Sequence, residues 1–334
     1  SKNLMKVLEI PTSEYFTFNN YKDSVDFFEH NSYEDFVIKV DGLASGKGVL
    51  LPNSKDEAIQ TLNNIFLKKQ FGNAGNEIII ERRLFGEEVS VLGFCNGKDV
   101  ELMPQTQDYK RIYDNDKGLN TGGMGTYSPA NILTNEEVKE IKTYMEKIVR
   151  DLKYKGVLYA GIMKTNDGLY ILEFNCRFGD PEAQVILNLL DTDLYDIMVS
   201  CIEGTDINYI NWKNINASCV ILSHEEYPLS KLKNAVPIII DFENIHPNIK
   251  LYFSNVGLNT EEDIDTQYTT GGRVLSMVYC HENSFESINE IYNNINYIKY
   301  ERSYFRRDIG LRKLLRDTTN TITPSIAILG STNG

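Results

Sequence analysis

Four stretches of this chain combine residue types and spacings suited to chemistry. The strongest is Ile171-Leu172-Glu173-Phe174-Asn175-Cys176-Arg177. On a strand, alternate residues share a face, so Glu173, Asn175 and Arg177 point one way and Leu172, Phe174 and Cys176 the other. A carboxylate beside an amide oxygen is a hard donor pair suited to Mg²⁺. Arg177 adds a fork for a phosphate oxygen. Phe178-Gly179-Asp180-Pro181-Glu182 follows directly and opens a helix, whose N-terminus favours anions. The plainer alternative is a solvated strand face carrying one ion pair.

The second stretch is Gly42-x3-Gly46-Lys47-Gly48. It departs from a P-loop, because Asp41 sits where the first glycine belongs, Gly48 replaces Ser/Thr, and a strand follows where a helix is required. It reads either as a mobile hairpin loop whose N–H groups and Lys47 cover a polyphosphate, or as an ordinary turn. The third is Gln107-Asp108-Tyr109-Lys110-Arg111 followed by Asn120-Thr121-Gly122-Gly123-Met124-Gly125, two basic residues ahead of a backbone that can approach a ligand closely. A solvated surface loop accounts for it equally well. The fourth, Glu81-Arg82-Arg83-Leu84-Phe85-Gly86-Glu87-Glu88-Val89-Ser90, joins two strands by a short connector. Its backbone can read an adenine edge and Glu88 can accept from ribose hydroxyls, or it is a plain charged hairpin.

The elements that would position these residues follow from periodicity. Residues 36–51 read as strand, loop, strand. Ser54 to Lys69 reads as an amphipathic helix, with Ser54 as N-cap, Glu57 three residues on, and a stripe of Ala58, Ile59, Leu62, Ile65 and Phe66. Glu77–Glu81 and Glu88–Cys95 read as strands, with a hairpin turn at Asn96-Gly97. Residues 104–129 lack periodicity and are rich in Gly, Asp and Asn, which predicts a long functional loop. Asn135–Leu152 reads as a helix, Gly156–Thr165 and Leu169–Cys176 as a hairpin turning at Asp167-Gly168, and Pro181–Leu190 as a helix with Pro in its first turn. From about Ala217 to Leu315 the pattern changes to short strands and turns, which predicts a separate α+β domain.

Composition narrows the function classes. The 334 residues carry 34 Lys plus Arg against 47 Asp plus Glu, a net charge of −13. A chain this acidic is a poor general binder of nucleic acid or of an anionic membrane, and no apolar run approaches a membrane helix. The five cysteines form no CxxC pair and the four histidines no HExxH, which argues against a disulfide framework or a zinc site and for free thiols in the cytoplasm.

In order along the chain, Lys39…Asp41-Gly42-Leu43-Ala44-Ser45-Gly46-Lys47-Gly48, Gly86-Glu87-Glu88-Val89-Ser90, Asn120-Thr121-Gly122-Gly123-Met124-Gly125 and Leu172-Glu173-Phe174-Asn175-Cys176-Arg177-Phe178-Gly179-Asp180-Pro181-Glu182 resemble the glycinamide ribonucleotide synthetase family of the ATP-grasp superfamily. Thr270-Gly271-Gly272-Arg273-Val274-Leu275 and Arg306-Arg307-Asp308-Ile309-Gly310 resemble that family's C-terminal domain. The resemblance implies an α+β ATP-grasp fold with two subdomains clasping ATP, at 1–82 and 83–216, and a smaller C-terminal domain at 217–316. It implies ATP-dependent ligation of glycine to 5-phosphoribosylamine through a glycyl phosphate, with Mg²⁺ or Mn²⁺ as cofactor. Carried over by motif, Glu81, Arg82, Arg83 and Leu84 match the adenine-side connector, Glu88 the ribose ligand, and Lys39 and Lys47 the phosphate-side lysines. Arg111 and Asn120 match further nucleotide contacts, and Glu173 and Asn175 the metal ligands. Gly122, Gly123, Met124 and Gly125 match the substrate loop, with Arg177, Asp180 and Glu182 as the catalytic set.

This chain departs from the family where Glu-Glu reads Glu81-Arg82, Asp-His-Lys-Arg reads Asp108-Tyr109-Lys110-Arg111, and Gly-Pro-Asn reads Gly118-Leu119-Asn120. At its start the resemblance implies that the family's N-terminal domain is missing. Residues 317–334 read as a polar linker and the opening strand of a formyltransferase-like domain, or as a tail, so the chain is expected to be a segment of a longer purine-pathway polypeptide. The rival readings are another ATP-grasp carboxylate–amine ligase and a non-catalytic nucleotide-binding module.

Overall fold

The computed structural model describes residues 1–42, 48–229, 234–258 and 267–319. They fall into two compact units. One is made of Ser1–Glu88, Asn120–Gly122 and Ala160–Phe174, the other of Val89–Leu119, Gly123–Tyr159 and the chain from Asn175 on. The units interleave along the chain instead of following one another.

The first unit begins with α1 (Lys2–Val7), then β1 (Tyr15–Phe18), α2 (Tyr21–His30), β2 (Phe36–Val40), β3 (Val49–Leu50), α3 (Lys55–Phe66) and β4 (Ile78–Arg82). The four strands form a sheet in the order β1-β4-β2-β3. Helix α3 forms where the sequence calls for it. The Ser54 hydroxyl accepts the Glu57 N–H, and Ala58, Leu62, Ile65 and Phe66 turn one buried face to the sheet. It stops three residues before Lys69, which has a left-handed backbone at φ 52. Asn20 caps α2 by accepting the Asp23 N–H. The core is Phe28, Phe36, Ile38, Ala58, Leu62, Ile65, Ile78 and Ile80, each large side chain contributing about 1.5–3 kcal/mol by leaving water.

The chain continues through β5 (Glu87–Asn96), β6 (Val100–Leu102), β7 (Gln107–Asp108), β8 (Arg111–Tyr113), β9 (Lys117–Asn120) and β10 (Gly125–Ser128). Then come α4 (Asn135–Leu152), β11 (Lys155–Thr165), β12 (Gly168–Asn175), α5 (Glu182–Leu189), α6 (Leu194–Glu203), β13 (Asn216–His224) and, later, α7 (Ser284–Asn294). One sheet runs β12-β11-β5-β6. A larger one runs from strand Lys250–Phe253 through strand Arg273–His281 to β13, β10 and β7.

Residues 104–129 correct an expectation. The predicted long loop holds β7 to β10, and Tyr109, Ile112, Met124 and Tyr127 are buried within it. Strand β10 pairs with β13 from Gly125↔Val220 to Ser128↔Ala217. The strand onset near Ala217 is thereby built into the same sheet as Gly125. Among the described residues no helix is long and apolar enough to cross a membrane.

Candidate active site

The first unit buries an array of three charges. Antiparallel pairing sets Lys39 opposite Ile79 and Val37 opposite Glu81. Lys39 and Glu81 are therefore diagonal neighbours on one face of the sheet, and they form an ion pair. The other oxygen of Glu81 meets Lys2 Nζ of α1 at 2.5 Å. Lys2 also donates to Thr12 Oγ1 at 2.6 Å, and that hydroxyl donates to the Ile171 carbonyl at 2.7 Å. Burial pushes the Glu81 carboxyl up, but the Lys39 and Lys2 ammonium groups outweigh it and hold it below the ordinary carboxylate range. Burial also pulls the Lys2 ammonium down, against the opposing pull of Glu81. Two cations on one carboxylate leave one positive charge in excess. The side chain of Lys39 is the most accessible of the three, at 18%. Sequence reasoning missed Lys2. Its signal was the three-residue spacing from fully buried Met5 on α1, which puts an ammonium on the inward face.

Around this array, Arg82 is exposed, reaches Glu14 at 3.2 Å and lies over the Phe36 ring. The Arg83 N–H donates to the Asp35 carbonyl at 2.6 Å, and its guanidinium lies over Phe85. Leu84 and Glu88 are half-buried. Asn120 and Gly122 belong to this unit. Lys47 lies outside the described residues.

The second unit assembles the remaining groups around the start of α5. Glu182 is its first residue and is buried. Its carboxylate accepts from Ser90 Oγ at 3.2 Å, and Ser90 shares a 2.7 Å hydrogen bond with Tyr159. A negative group at a helix N-terminus is favoured by the backbone dipoles. A Cβ at Gly179 would overlap this carboxylate, which accounts for glycine there. Burial, with the Glu182 charge adding to it, raises the Tyr159 hydroxyl well above its ordinary value, so it stays protonated. Asp180 accepts from Gln184 at 2.9 Å and from Arg273 at 2.7 Å. Arg177 is exposed and donates to the Phe178 carbonyl at 2.7 Å. Arg111 donates to the Gly118 carbonyl at 2.6 Å.

Gly123 has φ +108, and a Cβ there would stand 2.5 Å from Pro181 Cδ and 2.7 Å from Asp108 Oδ1. Gly123→Ala is therefore expected to destabilise the protein by at least about 1 kcal/mol, read as a lower denaturant midpoint, and to disturb the adjoining loop. An unchanged midpoint would contradict this geometry. Met124 is fully buried and its N–H donates to the Tyr109 carbonyl at 2.9 Å, so its side chain serves packing. Gly125 opens β10.

Glu173 and Asn175 occupy alternate positions of β12, Glu173 exposed and Asn175 half-buried. A carboxylate and an amide oxygen are both hard donors of the kind a divalent cation takes. Among the described residues no three His, Cys, Asp or Glu side chains cluster as a metal cage.

A second charge cluster came from far along the chain. Arg306, wholly buried, donates to Asp308 at 2.7 Å, to Asp116 at 3.1 Å and to the Arg111 carbonyl at 2.9 Å. Arg306 and Arg312 both lie over the Tyr109 ring, at 4.8 and 4.7 Å, and Arg312 also pairs with Asp116. The ring is thus flanked by two guanidinium groups that one carboxylate bridges.

Comparison with known proteins adds a family. The model described as phosphoribosylglycinamide synthetase, ATP-grasp (A) domain, matches residues 1–183, and that family's C domain matches 217–312. The chain is 36% identical to a phosphoribosylamine-glycine ligase of Leptospira interrogans, covering 94% of this chain and 74% of that protein. It is 39% identical to the trifunctional purine biosynthetic protein adenosine-3 of Chironomus tentans, over 93% of this chain but only 23% of that protein. The crystal structure of phosphoribosylamine-glycine ligase from Thermotoga maritima superposes with a TM-score of 0.80 at 29% identity, covering 92% of this chain and 77% of that one.

Proposed function

We propose, for a chain that belongs to the phosphoribosylglycinamide synthetase family and has its ATP-grasp fold, that it joins glycine to 5-phosphoribosylamine with ATP, yielding glycinamide ribonucleotide, ADP and phosphate. The glycine carboxylate takes the γ-phosphoryl group of ATP and becomes an acyl phosphate. The amine of phosphoribosylamine attacks its carbonyl, phosphate leaves, and the nitrogen gives up a proton. No protein nucleophile enters, so the residues position groups and neutralise charge.

The observation that carries the reading is the Lys2–Glu81–Lys39 array, a buried positive charge in a chain of net charge −13. It gives an anionic phosphate a place in a protein that otherwise repels polyanions, nucleic acid included. Glu81 keeps Lys39 aimed until phosphate arrives. Arg82, Arg83, Leu84 and Glu88 take the adenosine end, with Arg111 and Asn120 as further contacts. Glu173 and Asn175 would hold Mg²⁺ or Mn²⁺, which supplies neutralisation of charge on the phosphoryl oxygens. The buried Glu182 and the fixed Asp180 would serve the amine and carboxylate of the acceptors, with Arg177 and Gly123–Gly125 of the same unit; Gly122 is a further candidate. In a three-part division at 1–82, 83–216 and 217–316, the last boundary is supported by the start of the second family match at 217. The five free thiols fit the cytoplasm. The trifunctional relative, of which this chain spans 23%, supports a place in a longer multifunctional polypeptide.

The test is phosphate release from ATP with glycine and freshly prepared phosphoribosylamine. Release is expected only when all three are present. Equal release without the amine, or with an unrelated amine in its place, would overturn the reading.

A further inference from the structure

The strand Arg273–His281 contributes a side chain that none of the chemistry above uses. Arg273 pairs with Ser223 of β13, and its backbone is pinned by Asn255, whose amide donates to the Arg273 carbonyl at 2.6 Å. The two residues before it are glycines for a steric reason. A Cβ at Gly271 would lie 2.5 Å from Asn255 Oδ1, and one at Gly272 would overlap the Tyr227 ring. The Gly272 carbonyl accepts from the His224 N–H at 2.7 Å. This close packing delivers the guanidinium to one point. There Nη2 donates to Asp180 Oδ2 at 2.7 Å, and Nη1 to the Asp180 carbonyl at 3.1 Å and the Gly123 carbonyl at 3.4 Å. Gly123 in turn packs against Pro181 and Asp108.

We propose that Arg273 is a positioning residue for the acceptor substrates: its fork holds the Gly123 backbone and Asp180 in one geometry. The inference rests on the functional reading above for which substrates are affected, but the clamp itself does not. Asp180 is half exposed, so this ion pair adds little stability. What it supplies is the fixed angle between two loops, and a planar fork does that where a lysine point charge cannot.

Three measurements on the full chain test it. Arg273→Met should raise the KM for phosphoribosylamine or glycine about tenfold to a hundredfold, since a misplacement of about 1 Å has that effect. The KM for ATP should stay within about twofold, because the array on β2 and β4 is untouched. Arg273→Lys should keep the unfolding temperature of the wild type but not its acceptor KM. If Arg273→Met does not fold, Arg273→Lys carries the test alone. Arg273→Met combined with Asp180→Asn should be no worse than the worse single change. Independently of turnover, amide hydrogen exchange at residues 123–125 and 178–180 should quicken in Arg273→Met and stay unchanged in β2. Equal increases in all three KM values, full recovery by lysine, or unaltered exchange at those loops would overturn the proposal. Wild-type protein inactive with these substrates but showing the exchange change would refute the functional reading and leave the clamp standing.

Discussion

Replacing Glu173 with alanine is expected to lower ligase turnover at least about a thousandfold, the factor that several kcal/mol of lost charge neutralisation gives. Glu173 is exposed on β12, so its removal should change folding stability by no more than about 1 kcal/mol. The two effects separate: phosphate release collapses while the thermal unfolding curve moves by a few degrees at most. Glu173→Gln keeps size and one oxygen but loses the charge. It should recover part of the activity at raised Mg²⁺ or Mn²⁺, because a weaker donor is offset by mass action. Chelation of the wild type should abolish turnover, and the added cation should restore it. Turnover of Glu173→Ala within about threefold of wild type at ordinary Mg²⁺ would remove Glu173 from the metal site.

The largest stability loss is expected at Arg306. Its guanidinium has no solvent exposure and serves Asp308, Asp116 and the Arg111 carbonyl. Arg306→Met strands these acceptors and should destabilise by about 3 kcal/mol, the lower end for a broken buried ion pair because Asp116 can rehydrate. In a unit of this size that lowers the unfolding temperature by about 6–12 °C. The effect should depend on pH with a definite sign. Burial pushes the Asp308 carboxyl up, but hydrogen bonds from Arg306 and the Asn115 N–H outweigh it and leave it below the ordinary range. A carboxyl depressed by folding stabilises the fold above its unfolded value, near pH 4, and stops doing so as pH falls through the folded value. The gap between wild type and Arg306→Met should therefore be full at neutral pH and shrink below about pH 4. A gap that widens on acidification would contradict the assignment, as would an unfolding temperature that Arg306→Met leaves unchanged.

What was legible in the sequence were elements held by local rules. Helix α4 runs Asn135–Leu152 as read, because Thr134 and Glu137 cap it reciprocally and Ile141, Met145, Ile148 and Val149 repeat at helical spacing. The β11–β12 hairpin turns where Asp167-Gly168 places it, with Gly168 at φ +135. The strands in 104–129 were not legible. They are two to four residues long, too short for a period to show; β10 is completed by the distant β13 and β7 by β10, while β8 and β9 pair only with each other. The candidate residues that sequence could put forward are near neighbours in it, as are Glu173 and Asn175 or Asp180 and Glu182. Its long-range partners were not. Arg306 and Asp116 meet across 190 residues, Arg273 and Asp180 across 93, and no local spacing announces such pairs.

The Lys2–Glu81–Lys39 array ties occupancy to durability. With two ammonium groups sharing one carboxylate, the first unit folds in an electrically incomplete state, and an anion reaching Lys39 completes it. Whatever binds the folded form alone shifts the folding equilibrium by its own mass action. If phosphate is the anion that Lys39 takes, as proposed above, resistance to heat or protease becomes a gauge of its occupancy. It needs no turnover and no acceptor substrate.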